Sequence, residues 1–402
     1  MQISARYQAV FELISQIFED KKPADNIINE YVRSRKYIGS KDRRFIVDTT
    51  WDIIRHRMRL EFDAKSKDVR KILLVYLKNE DFDIITGGQY GLNPLTKEEK
   101  NWLKLLTDDI YPDYVENECP KWLYDKLNSY ALVQALNTVA PADLRANLIE
   151  RKSVKKRLES EGLFFSVTPY SPYGLRSVER VNLNNCMSYQ EGLVDVQDES
   201  SQIAAILCDA NPDEKVIDYC AGAGGKSLAM AAINCNEGTI FAHDANFNRM
   251  DAIKDRALRL GIRNIKIIRN LDISGYDRFI VDAPCSGSGT LRRAPDAKFR
   301  LSENKIKELN QIQQEILEIA YKNTVKGGFI VYMTCSLIKD ENEDIVNAFK
   351  QKHPDITFVN HQKLWERKID TLYPFAETEW IKLNPLVTNT DGFFFCMMKK
   401  EK

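Results

Sequence analysis

The chain has 402 residues, 44% of them hydrophobic and 29% charged, and its 58 basic side chains balance 58 acidic ones. That is enough for two or three domains, each with its own core. No apolar run approaches the ~18 residues that cross a bilayer, and the opening MQISARYQAVFELISQ lacks a small-residue cleavage site; neither a spanning helix nor a signal peptide is expected, and a cytoplasmic protein is.

In chain order, residues 3 to about 130 carry the first signal. Ala9-Val10, Leu13-Ile14 and Ile17-Phe18 recur at helical spacing, as do Phe45-Ile46, Thr49, Ile53-Ile54 and Met58. Glycine is scarce before Gly87-Gly88, so residues 1–130 are expected to form an all-helical domain. Its charge is uneven. From Arg33 to Lys71 there are thirteen Lys/Arg against six Asp/Glu, and from Asn79 to Cys119 ten acidic residues against three basic. The basic block suits phosphates or is a solvated helical face; both readings stay open. Residues 131–200 read as a small α+β segment, with strand-like Leu144-Arg-Ala-Asn147, a charged helix over 153–162 and strand-like Leu163 to Val167.

Over 201–402, strands and helices alternate. Apolar runs at 216–217, 239–242, 265–268, 279–281 and 328–333 are separated by helical stretches such as 247–260 and 302–322. That pattern predicts an α/β domain with a parallel sheet covered on both faces. Gly392-Phe-Phe-Phe-Cys396 reads as a closing edge strand. The eight cysteines never form a C-x-x-C pair and the four histidines are dispersed, so thiols are expected, with no metal site.

Three motifs carry chemistry. Val216-Ile-Asp-Tyr-Cys-Ala-Gly-Ala-Gly-Gly-Lys226 is a strand ending in an acid, a glycine-rich turn and a helix start, which lets a ligand approach the backbone. Tight strand–helix turns also use glycine for structure alone. Ile240-Phe-Ala-His-Asp244 adds an acid at the next strand end, the position that holds ribose hydroxyls in nucleoside-binding folds. The pair favours an adenosine-type ligand, and without G-x-x-x-x-G-K-[ST] a phosphate-cradling loop is excluded. Asp272 ends the following strand, either reaching an adenine amino group or standing as a solvated loop acid. The third motif is a pair of cysteines at two further strand ends, Asp282-Ala-Pro-Cys285-Ser and Thr334-Cys335-Ser. Strand carboxyl ends face the ligand crevice in a doubly wound sheet, so both thiols and Asp282 are expected in one pocket. A lone cysteine there is most often a small core residue; two flanked by serine are not.

These motifs, with Arg292-Arg-Ala-Pro-Asp-Ala, Gln313-x-x-Ile-Leu, Glu341-Asn-Glu343 and Asp391-Gly-Phe-Phe-Phe, resemble the Nol/Nop/Sun-type RNA cytosine-5 methyltransferases, and most the bacterial RsmB-like rRNA enzymes. Ser40-Lys-Asp-Arg-Arg-Phe and Arg55-His-Arg are similar to their NusB-like helical domain. The resemblance implies a Rossmann-like class I methyltransferase domain preceded by the helical domain and the small segment. It implies S-adenosyl-L-methionine held by Cys220, Ala221, Gly222, Ala223, Gly224, Gly225, Lys226, Asp244, Asp272 and Asp282. It makes Cys335 the nucleophile, Cys285 the helper in its release, and Asp282 the group that meets the N3/amino edge of cytosine. Arg43, Arg44, Arg55 and Arg57 would contact a structured RNA, ribosomal by resemblance, and a monomer is expected. Two departures stand out: Ala223 replaces the family's usual proline, and the stretch from Asp272 to Asp282 is short. The rival readings are a DNA cytosine-5 methyltransferase, with Cys285 as attacker, and a non-catalytic RNA-binding assembly factor.

Overall fold

Helices in the first part of the chain follow from apolar residues three and four apart. The helix Ile3–Glu19 buries Val10, Leu13, Ile14 and Ile17, and Ser40–Arg55 buries Ile46, Ile53 and Ile54. These faces close one core with Ile27, Ile28, Ile72 and Leu73. Ends are capped locally: Asp68 accepts from the Lys71 N–H, and Thr96 and Glu99 form a reciprocal capping box. The computed structural model describes every residue except Asp108, Val178, Arg180, 272–274 and Lys402, and the side chain of Asn184. None of the described helices is long and apolar enough to cross a membrane.

The helical unit is discontinuous, comprising residues 1–138 and 291–301. The Asp296 carboxylate accepts from the Ala24 N–H at 3.0 Å, at the start of the helix Ala24–Ser34, where backbone donors lack helical partners. Arg55 donates to the carbonyls of Asn137 and Thr138 at 2.9 Å and of Arg292 at 3.0 Å. Buried Lys298 donates to Asn137 Oδ1 at 3.2 Å, and burial lowers its pKa to about 8. The expected boundary near residue 130 thus stands beside an observed one at Thr138, with a second segment that sequence periodicity did not suggest.

Residues 139–290 and 302–402 form the other unit, which carries two sheets. In the smaller one, β1 (Ala142–Ala146), β2 (Ser166–Val167), β3 (Gly174–Ser177) and β4 (Val194–Val196) pair antiparallel in the order β2-β3-β1-β4. The helix Arg151–Ser160 supplies Val154 and Leu158 to a core with Leu144, Leu175 and Val194. The strand expected over 163–167 contracts to its last two residues, because Leu163 and Phe165 pack into that core instead of joining the ladder.

The larger sheet runs β5 (Lys215–Asp218), β6 (Thr239–Ala242), β7 (Ile265–Ile267), β8 (Tyr276–Asp282) and β9 (Thr324–Thr334) in parallel, in the spatial order β7-β6-β5-β8-β9. β10 (Ile356–Phe358), β11 (Ile381–Leu383) and β12 (Phe393–Lys400) add an antiparallel side, with β12 against β9 and both shorter strands against β12. The α/β expectation holds, but β12 is not an edge. Phe393, Phe394 and Phe395 are all buried; a strand covered on both faces and paired on both sides is continuously apolar. Strand order reverses between β5 and β8, and ligands bind outside the carboxyl ends at such a point.

Candidate active site

β5 delivers buried Asp218 to a turn that leads into the helix Gly225–Ile233. Gly224 adopts φ +78°, and a Cβ there would stand 2.7 Å from Ile253 Cγ1; both its backbone angle and its packing demand glycine. The Gly222 N–H donates to Asp244 Oδ2 at 2.8 Å, and Asn246 N–H to Asp244 Oδ1 at 2.8 Å. The acid ending β6 therefore fixes the glycine turn while lining the crevice beside it. Ala223 keeps the turn tied without a proline ring: its carbonyl accepts from Arg256 at 2.6 Å, and Arg256 also donates to Asp195 at 2.6 Å.

Two charged groups project from the turn and from β8. Lys226 Nζ lies 2.6 Å from Asp282 Oδ2 and 4.9 Å from the Phe393 ring centroid. Burial pulls the lysine pKa down, but the charge and hydrogen bond of Asp282 outweigh it, so the net shift is upward. Asp218 accepts from Ser227 Oγ at 2.6 Å, its other oxygen has no partner among the described residues, and burial raises its pKa to about 7.

Cys285 follows β8 and Cys335 follows β9, and register brings the strands' ends side by side with Asp282 opposite Met333. The two sulfurs are 3.4 Å apart. The hydrogen bond to the Cys335 sulfur, then burial, hold the Cys285 pKa well above that of an ordinary thiol; either sulfur can donate in the contact between them. Both half-buried thiols face a crevice of about 880 Å³ that also takes in Tyr219, residues 220–223, Gly225, Lys226, Asp244 and Asp282. Burial likewise raises the thiol of Cys220. Asp272 lies outside the described residues.

Sequence reasoning quoted Glu341 as part of a motif and gave it no task. The structure buries it completely, with its carboxylate joining the loops of both cysteines. The legible signal was an acid six residues beyond Cys335 in a serine-rich setting.

On the helical unit, Arg43 and Arg44 are exposed, Arg44 with Asp48 at 3.5 Å. Arg57 is half-buried, paired with Glu61 at 2.6 Å, and its guanidinium lies over the Phe18 and Phe299 rings. Arg55, expected to contact RNA, is 9% exposed and its guanidinium donates to three carbonyls within the unit.

Residues 205–399 match the family described as 16S rRNA methyltransferase RsmB/F. The chain is 37% identical over 221 residues to a "Probable ribosomal RNA small subunit methyltransferase B" of Bacillus subtilis (strain 168), covering 53% of this chain and 49% of that protein. It is 31% identical over 283 residues to the "25S rRNA (cytosine-C(5))-methyltransferase nop2" of Schizosaccharomyces pombe, covering 65% and 46%. The chain thus spans about half the length of these curated relatives. The solved structure titled "Crystal Structure of PH0851" matches at a TM-score of 0.79 with 22% identity, over 100% of this chain and 99% of that one, a likeness of fold.

Proposed function

This chain belongs to the Nol/Nop/Sun-type family of RNA cytosine-5 methyltransferases, and from that premise we propose that it methylates carbon 5 of a cytosine in small-subunit ribosomal RNA, in the cytoplasm, with Cys335 as nucleophile. The observation that carries the reading is the thiol pair at 3.4 Å on adjacent strand ends, in one crevice with the glycine turn, Asp244 and Asp282.

The donor set of the crevice fits S-adenosyl-L-methionine. Asp244 suits ribose hydroxyls and the turn 220–225 offers backbone groups without a phosphate cradle. Bound there, the cofactor would supply an electrophilic methyl group. Cytosine carbon 5 is a poor nucleophile, so the chain's own task is to activate the ring. Cys335 adds as thiolate to carbon 6, which makes carbon 5 enamine-like. Asp282 meets the N3/amino edge; donating to N3 requires its acid form, so the Lys226 ion pair must be released or shared as the base enters. After methylation the C5–H bond breaks, its electrons restore the C5=C6 double bond, and the Cys335 sulfur leaves as thiolate.

Cys285 is suited to take that proton at that moment. The largest cause of its raised pKa is the Cys335 sulfur; once that sulfur is bonded to carbon 6 this hold on the Cys285 proton is lost, the thiol gives its proton to solvent, and the resulting thiolate takes the C5 proton. The target base must leave its stack to reach such a crevice, and exposed Arg43 and Arg44 would meet phosphates of the surrounding RNA.

The test is transfer of labelled methyl to ribosomal RNA and not to DNA. Cys335→Ala is expected to lower transfer more than about 10²-fold with cofactor affinity unchanged. Cys285→Ala should instead accumulate a covalent protein–RNA adduct on a denaturing gel, absent in the double variant. An adduct from Cys335→Ala and none from Cys285→Ala would reverse the roles and favour the DNA-type assignment.

A further inference from the structure

Glu341 is fully buried, and its carboxylate accepts four hydrogen bonds from neutral groups. The donors are Ser286 N at 2.8 Å, Ser286 Oγ at 2.5 Å, Ser336 Oγ at 2.6 Å and Gln313 Nε2 at 3.2 Å. Ser286 follows Cys285, and Ser336 follows Cys335. Gln313 reaches further along the first loop, donating to the Pro284 carbonyl at 3.0 Å. The loops are cross-braced as well: Ser288 Oγ lies 3.0 Å from Ser336 Oγ and accepts from the Leu337 N–H.

Burying a carboxylate without a cation is costly, and a neutral side chain could hold two loops together more cheaply. Among the described residues no lysine or arginine pairs with Glu341. Four donors offset the cost only by converging on one anion, which makes the assembly stiff and its negative charge fixed in place. That charge sits one residue from the helper thiol and adds to the causes that raise its pKa.

We infer that Glu341 is a positioning residue for the second half of the reaction: through Ser286 and Ser336 it sets the spacing of Cys285 and Cys335. This rests on the methyl-transfer reading above. The roles are separable. First addition needs Cys335, Asp282 and the base but not Cys285, whereas release needs Cys285 held in place.

The experiment uses the full chain with Glu341→Gln, which keeps the shape and removes the charge, and Ser286→Ala, which removes one bond. Melting temperature and calorimetric binding of S-adenosyl-L-methionine establish that each variant is folded. For Glu341→Gln, kcat on ribosomal RNA is expected to fall at least about 10-fold with KM for RNA unchanged, and the covalent adduct to accumulate. A merely structural role would lower the folded fraction without trapping adduct. Independently of RNA, iodoacetamide labelling at pH 8, read peptide by peptide, should raise the Cys285-to-Cys335 labelling ratio about 3-fold or more, because Cys285 loses a neighbouring negative charge. A folded Glu341→Gln with wild-type kcat and an unchanged ratio overturns the inference. Should that variant not fold, Ser286→Ala decides: adduct with reduced kcat supports the inference, and wild-type turnover overturns it. If even the unaltered chain transfers no methyl, the functional reading fails, while the labelling ratio still tests what Glu341 does to Cys285.

Discussion

Gly224 and Asp244 show how single residues shape the crevice by serving backbone first. Gly224→Ala places a Cβ against Ile253 Cγ1 at a left-handed φ, and a non-glycine residue there costs about 1–3 kcal/mol. Urea unfolding should report a loss of that size, together with weaker cofactor binding. Asp244→Ala removes an acceptor for two loop N–H groups as well as the ribose partner. Calorimetry should show a loss of about 1.5–3 kcal/mol per hydrogen bond to that charged acceptor. Asp218 offers a pH-dependent case. Its pKa is raised to about 7 in the folded chain from an unfolded value near 3.8, so between those values the folded state binds more protons than the unfolded one. Its contribution to stability is therefore most favourable at the acid end and is lost as pH rises through about 7. Asp218→Asn, which keeps an acceptor for Ser227, should raise the melting temperature more at pH 8 than at pH 5, relative to the unaltered chain. Equal changes at both pH values would mean that Asp218 is ionised alike in both states.

At the scale of elements, the parallel strands were legible because each is a short apolar run between amphipathic helices, and the turn, Asp244 and both cysteines could be assigned to strand ends for that reason. β12 was legible as a strand but not in its place. Its partners β10 and β11 have three residues each, too short to register as runs, so nothing in the sequence said that a strand lay outside the phenylalanines. The internal bonds of Arg55 were not legible because local sequence shows only its company of basic residues, while its three acceptors lie more than eighty positions away. Glu341 was passed over for a similar reason: its donors Ser286 and Gln313 are 55 and 28 positions distant. The helix Ala24–Ser34 likewise depends on a remote group, the Asp296 carboxylate at its start. Asp296→Ala should destabilise the helical unit by about 0.5–2 kcal/mol, the range for a lost N-terminal cap, measured by urea unfolding.

For the whole molecule, a formal charge of zero means that no net attraction draws RNA in, so any electrostatic contribution is local. Reversing Arg43 and Arg44 to Glu should raise KM for RNA and flatten the salt dependence, by about 0.7–0.9 of log–log slope per lost phosphate contact, with cofactor affinity unmoved. Arg44 also pairs with Asp48, so melting temperature has to be followed on the same preparation. A lower melting temperature with an unchanged salt slope would make these arginines helix stabilisers only.

The split composition of the helical unit also bears on how the molecule is made. Its last piece, residues 291–301, is encoded about 150 residues after the end of its first. At roughly 5–20 residues per second of synthesis, the emerging helices wait about eight to thirty seconds at the ribosome before Asp296 can reach the Ala24 N–H and the Arg292 carbonyl can reach Arg55. During that interval the N-terminal helices lack one wall, and a chaperone has its best opportunity to hold them.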